Sequence, residues 1–140
     1  MKTGNFTIVY AEDDPDDVLL VKQAFEKYNK NISVIHKTNG DDLMNYLNGI
    51  KDRSSFPCLI ILDINMPGVN GREALLRIRN SDVLKNIPVV LFTTSSSAKD
   101  KSFAYTWGAE FITKPLIYSE LEDLADMFIN ICDREIKNRA

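Results

Sequence analysis

The sequence is poor in the residues that build thiolate or imidazole sites: two cysteines, Cys58 and Cys132, and one histidine, His36, in 140 residues. The cysteines sit in apolar surroundings without metal-ligand spacing, so they are expected to be buried free thiols; a disulfide is disfavoured in a reducing compartment. His36 lies in a strand-like run away from the acidic segment and is read as structural. No apolar run reaches the length that crosses a bilayer. The opening MKTGNFTIVY moves straight into strand-like residues, with no charged-then-apolar leader. A cytoplasmic protein with no membrane partner is the expectation. No repeat, low-complexity tract or Pro/Gly-rich linker divides the chain, so residues 1–140 are read as one domain, with a core over about 6–132 and a C-terminal helix extension over 133–140. Excess positive charge is also missing. The net charge is -3, from 17 basic and 20 acidic residues, and the basic residues are scattered, which argues against direct nucleic-acid binding.

What is present is an alternation. Phe6–Tyr10, Ile32–His36, Cys58–Leu62, Pro88–Phe92 and Phe111–Thr113 read as strands. Between them, helical spacing appears at Val18, Leu19, Val21, Lys22 and Phe25, at Leu43, Met44 and Leu47, at Leu75, Leu76 and Ile78, and over Lys99–Trp107. Leu121, Leu124, Phe128 and Ile131 form the core stripe of a last helix. Apolar strands separated by helices predict an α/β fold with a doubly wound, five-stranded parallel sheet covered on both faces by five helices. In such sheets the ligand site lies beyond the carboxyl ends of the strands.

Those ends carry chemistry. AEDDPDD after the first strand holds five carboxylates in seven positions. Asp14 suits a helix N-cap, Pro15 the first helical position, and Asp16 and Asp17 an acidic first turn. Capping leaves Glu12 and Asp13 unexplained, and Asp63 follows the third strand in LIILDINMPGVNG. Carboxylates converging in a partly buried cleft repel one another, and a hard divalent cation such as Mg²⁺ resolves the conflict. Thr93 and Thr94 follow the fourth strand, and Lys114 follows the fifth in FITKP. A hydroxyl and an ammonium beside a metal–carboxylate site suit a tetrahedral dianion. Asp63 is then the acceptor, because a side-chain carboxylate can form an acyl phosphate.

With these motifs in place, the sequence resembles the receiver domains of two-component response regulators, over roughly residues 6–132. The acidic pair Glu12-Asp13, LDINMPGVNG around Asp63, VVLFTTS around Thr93 and ITKP around Lys114 fall in family order. EDDPDD, GIKDRSSFP, GREALLRIR and LKNIPVVLFTTS are similar to the stand-alone receivers paired with bacterial phytochrome kinases. The resemblance implies a flavodoxin-like strand order 2-1-3-4-5. It implies phosphoryl transfer to Asp63 from a phosphohistidine on a sensor histidine kinase or phosphotransfer protein. It implies Mg²⁺ held by Asp13, Asp63 and the backbone carbonyl of Asn65, with Glu12 acting through water. Thr93 and Lys114 would bind phosphoryl oxygens. Thr93 and Phe111 would form the switch, Phe111 standing where many relatives have Tyr. Asn65 and Ser95 would flank the hydrolytic water, and Lys114-Pro115 would be a cis peptide.

The implied protein is a signalling phosphoacceptor, catalysing only its own phosphorylation and slow dephosphorylation. With no output domain after residue 132, its output is expected through protein contacts, onward phosphotransfer, or dimerisation on the face of the fourth helix, fifth strand and fifth helix. Tyr105, Tyr118, Ile129 and Ile136 are candidates for that face, and Trp107 for a helix-terminal core aromatic. Asn70 and Ser119 are expected to cap helices. The rival reading is a Mg²⁺-dependent phosphatase or phosphotransferase with an aspartyl nucleophile. Such enzymes need a second Asp two residues on, where this chain has Asn65, and usually a cap domain. A metal-free interaction module of the same fold would lack Asp13, Asp63 or Lys114, and none is missing.

Overall fold

A computed structural model describes residues 6–27 and 31–139; the leader reading of residues 1–5 and the end of the C-terminal extension at 140 lie outside them. The order of elements is β1 (Phe6–Ala11), α1 (Pro15–Phe25), β2 (Ile32–Lys37), α2 (Gly40–Asn48), a single 3₁₀ turn (Arg53–Ser55), β3 (Leu59–Leu62), α3 (Gly71–Arg79), β4 (Val89–Thr93), α4 (Ala98–Thr106), β5 (Glu110–Thr113) and α5 (Tyr118–Arg139). All strand pairings are parallel, in the order β2-β1-β3-β4-β5. β3 and β4 are buried along their whole length, and β1 nearly so, whereas β2 and β5 are edge strands and half-exposed. This is why the central strands are continuous apolar runs and the edges are weaker signals.

Alternation along the strands divides the core. Val9, Ile60, Leu62 and Leu91 face one layer, with Leu43, Leu47, Leu75 and Ile78 of α2 and α3. Ile8, Tyr10, Ile61, Val90 and Phe92 face the other, with Val21 and Phe25 of α1 and Phe128 and Ile131 of α5. The side chains of Asp14, Asn70 and Ser97 accept from backbone amides at the starts of α1, α3 and α4, and Pro15 is the first residue of α1.

Several expectations need correction. Cys58 and Cys132 form a disulfide, with Cα atoms 4.9 Å apart, inside the usual range for a bridge. The segment entering β3 and the body of α5 pack together and bring both thiols into one core layer. No peptide bond is cis among the described residues, so Lys114-Pro115 is trans. Leu19, placed on the apolar stripe of α1, is 55% exposed, and Ala24 takes part in the buried face instead. Ser119 lies inside the first turn of α5, which begins at Tyr118, and does not cap it. Ile129 is buried and Ile136 packs on the core, leaving only Tyr105 and Tyr118 of the four proposed surface residues exposed.

Register then sets the site. Ala11 pairs with Leu62, Leu62 with Leu91, and Thr93 with Thr113. The Asp63 amide donates to the Ala11 carbonyl at 3.1 Å, and the Lys114 amide to the Thr93 carbonyl at 2.7 Å. The residues that leave β1, β3 and β5 and the last residue of β4 therefore meet at one edge.

Candidate phosphorylation and metal site

Asp63 follows β3 directly and is buried, 6% exposed. Its backbone is held by α3. The Gly71 amide donates to the Ile64 carbonyl at 3.0 Å, and a Cβ on Gly71 would stand 2.2 Å from the Asp63 carbonyl oxygen. Only glycine lets the start of α3 come this close, which fixes the Asp63 backbone against the sheet. Thr93, the last residue of β4, is fully buried. Its Oγ1 accepts from the Ser95 amide at 3.2 Å.

Lys114 leaves β5 and points across the edge. Its Nζ donates to Glu12 Oε1 at 2.6 Å, Asp17 Oδ2 at 2.8 Å and Asp63 Oδ2 at 3.4 Å. Burial alone would lower the pKa of this ammonium, but the hydrogen bonds to Asp17 and Glu12 outweigh it and raise the value. Glu12 is almost fully buried. Burial pushes its carboxyl up to about 7, Lys114 opposes the rise, and the Asp63 charge adds to it. Tyr10, fully buried in β1, donates from its hydroxyl to Glu12 Oε1 at 3.0 Å. Burial and the neighbouring Glu12 charge keep that phenol protonated well above its ordinary range.

Glu12, Asp13 and Asp63 each present a carboxylate oxygen within 4.8 Å of the others. Glu12 and Asp63 are buried and Asp13 is exposed. An all-oxygen set with two partly desolvated charges fits a hard divalent cation, and one ammonium does not neutralise it.

The structure thus gathers Glu12, Asp13, Asp63, Thr93 and Lys114 as the sequence predicts, with Asn65 exposed in the loop after Asp63. Phe111, in β5, is half-buried against the layer of α2 and α3. Trp107 closes α4 and packs on the same layer, as a helix-terminal core aromatic should. Three participants were missed. Asp17 binds Lys114 from the first turn of α1, where helix capping already accounts for an acid. Tyr10 reads in the sequence only as the last residue of the first strand. His36, read as distant from the acids, has Nε2 2.6 Å from the Glu12 carbonyl oxygen, because β2 pairs with β1 and sets His36 opposite Tyr10.

Residues 8–126 match the family described as response regulator receiver domain. The chain is 32% identical over 119 residues to a probable methanogenesis regulatory protein, FilR2, of Methanothrix harundinacea, covering 84% of this chain and 77% of that protein. It is 35% identical over 100 residues to response regulator Rcp1 of Synechocystis, covering 70% of this chain and 68% of Rcp1. The Mn²⁺-bound crystal structure of Rcp1 superposes with a TM-score of 0.77 at 30% identity, over 86% of this chain and 88% of that one. The phosphorylated cyanobacterial phytochrome response regulator RcpA gives a TM-score of 0.81 at 30% identity, over 89% and 91% of the two chains.

Proposed function

The chain belongs to the response regulator receiver domain family, and from that premise we propose that Asp63 is the residue on which it carries a phosphoryl group. As a receiver it is a phosphoacceptor of a two-component signalling system. The observation that carries the assignment is the burial of Asp63 within reach of Lys114, Glu12 and Asp13.

The reaction follows from the residues. An Asp63 carboxylate oxygen attacks the phosphorus of a phosphohistidine. The P–N bond breaks, its electron pair stays on the imidazole nitrogen, and an acyl phosphate forms on Asp63. Lys114, already aimed at Asp63 Oδ2, pairs with one phosphoryl oxygen, and the Thr93 hydroxyl donates to another. Asp13, Asp63, the backbone carbonyl of Asn65 and, through water, Glu12 would hold Mg²⁺. That ion, when bound, neutralises charge on the transferring group. Water then hydrolyses the acyl phosphate past Asn65 and Ser95. Neither side chain is a base, so the reset is slow and the chain catalyses nothing beyond its own phosphorylation and dephosphorylation.

The donor is a sensor histidine kinase or histidine phosphotransfer protein, of the phytochrome-linked kind that RcpA is named for. Leu20, Leu116 and Ile117 are exposed around the cleft that Lys114 lines, an apolar rim suited to a protein donor. Phosphorylation adds charge at one point. Thr93 turns toward it, Phe111 moves into the space left behind, and the face of α4, β5 and α5 changes for a partner or a second copy, with Tyr105 and Tyr118 exposed on it. The site and surface call for neither nucleic acid nor membrane, and the setting is cytoplasmic.

Incubation with acetyl phosphate and Mg²⁺, read by intact mass, should add one phosphoryl group to the wild type and none to Asp63→Asn. EDTA should abolish the addition. Equal uptake by Asp63→Asn would reject the assignment.

A further inference from the structure

α4 is held to the domain by little apolar surface. Its buried residues are Asp100 and Ala104, with Phe103 half-buried on the core. Asp100 is a carboxylate in a place where burial costs free energy, and its partners are specific. Arg72 Nη1, from α3, donates to Asp100 Oδ1 at 2.7 Å, and the Ser95 hydroxyl donates to Asp100 Oδ2 at 2.9 Å. The Arg72 guanidinium also lies over the Phe103 ring, 5.5 Å from its centre. Burial alone would raise the Asp100 pKa, but the bonds from Arg72 and Ser95 outweigh it and lower the value.

Ser95 connects this pair to the reaction. Its hydroxyl oxygen accepts from the Ser97 amide at 3.2 Å, and its own amide donates to Thr93 Oγ1 at 3.2 Å. Ser97 caps α4 by accepting from the Asp100 amide at 3.3 Å. Arg72, Asp100, Ser95 and Thr93 therefore form one hydrogen-bonded series from α3 to the buried hydroxyl. Each bond within it strengthens its neighbours in a site of low polarity.

We propose that Asp100, anchored by Arg72, is a positioning residue for phosphoryl uptake: through the Ser95 hydroxyl it holds the 94–97 loop so that Thr93 Oγ1 stays bonded to the Ser95 amide and is restrained from turning to a phosphoryl group on Asp63. This rests on the assignment of Asp63 and Thr93 above. The restrained arrangement is the resting one, and severing the series shifts the population toward the arrangement that receives phosphate.

Ser95→Ala, Asp100→Ala and the double variant test this. In unphosphorylated protein, each should speed hydrogen exchange of the Ser95 amide. With acetyl phosphate and Mg²⁺, each single variant should raise the initial rate of phosphorylation about tenfold, the effect of losing one hydrogen bond to a charged group. The double variant should be no faster than either single one, because both cut the same series. Unchanged or slower uptake in the single variants, or rates that multiply in the double variant, would overturn the proposal. So would a fall in melting temperature for Asp100→Ala with exchange and uptake at wild-type values, since that is what a purely structural acid would give. If Asp100→Ala does not fold, Arg72→Gln, on a half-exposed side chain, carries the same expectation. A wild type that takes up no phosphate would instead remove the functional assignment, and the exchange data would still report on the restraint.

Discussion

At the carboxyl edge of the sheet one ammonium, Lys114, is shared among the carboxylates of Glu12, Asp17 and Asp63. At the amino edge the arginines meet mainly backbone carbonyls, with one carboxylate, Glu135, also taken by Arg139 at 2.7 Å. Arg79 donates to the backbone oxygens of Trp107, Lys85, Ile87 and Gly108, which precede β5 and β4. Arg139 donates to those of Phe56 and Pro57, just before β3, and the Cys58–Cys132 bridge lies beside them. Backbone carbonyls do not titrate, so most of the amino edge offers nothing for a proton or a metal ion to compete for. At the carboxyl edge a cation with competing partners can pass from one anion to another. The same fold keeps a fixed end and an adjustable end, and each should respond to a different kind of perturbation.

The largest effect is expected at the adjustable end. Lys114→Met leaves Glu12, Asp17 and Asp63 without their shared cation. Phosphorylation by acetyl phosphate should fall by about 10²-fold or more, and stability in EDTA by about 3 kcal/mol. Mg²⁺ should recover part of the stability and none of the uptake, as measured by urea unfolding and intact mass on the same samples. Recovery of both would mean that the ammonium acts only as a structural counter-charge.

Reducing the Cys58–Cys132 bridge is the matching experiment at the fixed end. It closes a stretch with a sequence separation of 74, so its loss should cost about 4 kcal/mol by the chain-entropy relation. Melting should drop by on the order of ten degrees. The initial rate of phosphorylation should stay within about twofold of the oxidised protein. A large change in uptake on reduction would show that the two ends are coupled and would break the contrast.

A smaller effect concerns pH. In the folded, metal-free protein the Glu12 carboxyl is raised to about 7 from an ordinary value of 4.5. The folded state then holds its proton more tightly than the unfolded one. Its contribution to stability is full below the unfolded value and is lost as pH rises through about 4.5 to about 7. Unfolding in EDTA across that window should show the decline, and Glu12→Gln should flatten it. A profile of the same slope in the variant would place the titration on another group.

The strands could be read from sequence because burial on both faces leaves uninterrupted apolar runs, and the end of such a run marks where a functional residue emerges. Asp63, Thr93 and Lys114 were legible for that reason. Asp17 was not, because helix capping already accounted for an acid in the first turn of α1. Tyr10, two residues before Glu12 and on the same side of the chain, was hidden because burial alone accounts for a core aromatic, and His36 because only register brings its edge strand to the Glu12 carbonyl. Asp100 stood out by no motif, because its partner Arg72 comes from α3 and only the fold brings the two together. The disulfide depends on a distance between residues far apart in the chain, which no local pattern encodes.

The bridge also changes the connectivity of the polypeptide. From Cys58 to Cys132 the backbone becomes a closed ring that contains β3, β4 and β5, and with them Asp63, Thr93 and Lys114. Glu12 and Asp13 lie on the free strand outside it. A single peptide bond cut anywhere inside the ring opens a circle without releasing a fragment, so under oxidising conditions Asp63, Thr93 and Lys114 remain one covalent body even when the chain between them is nicked.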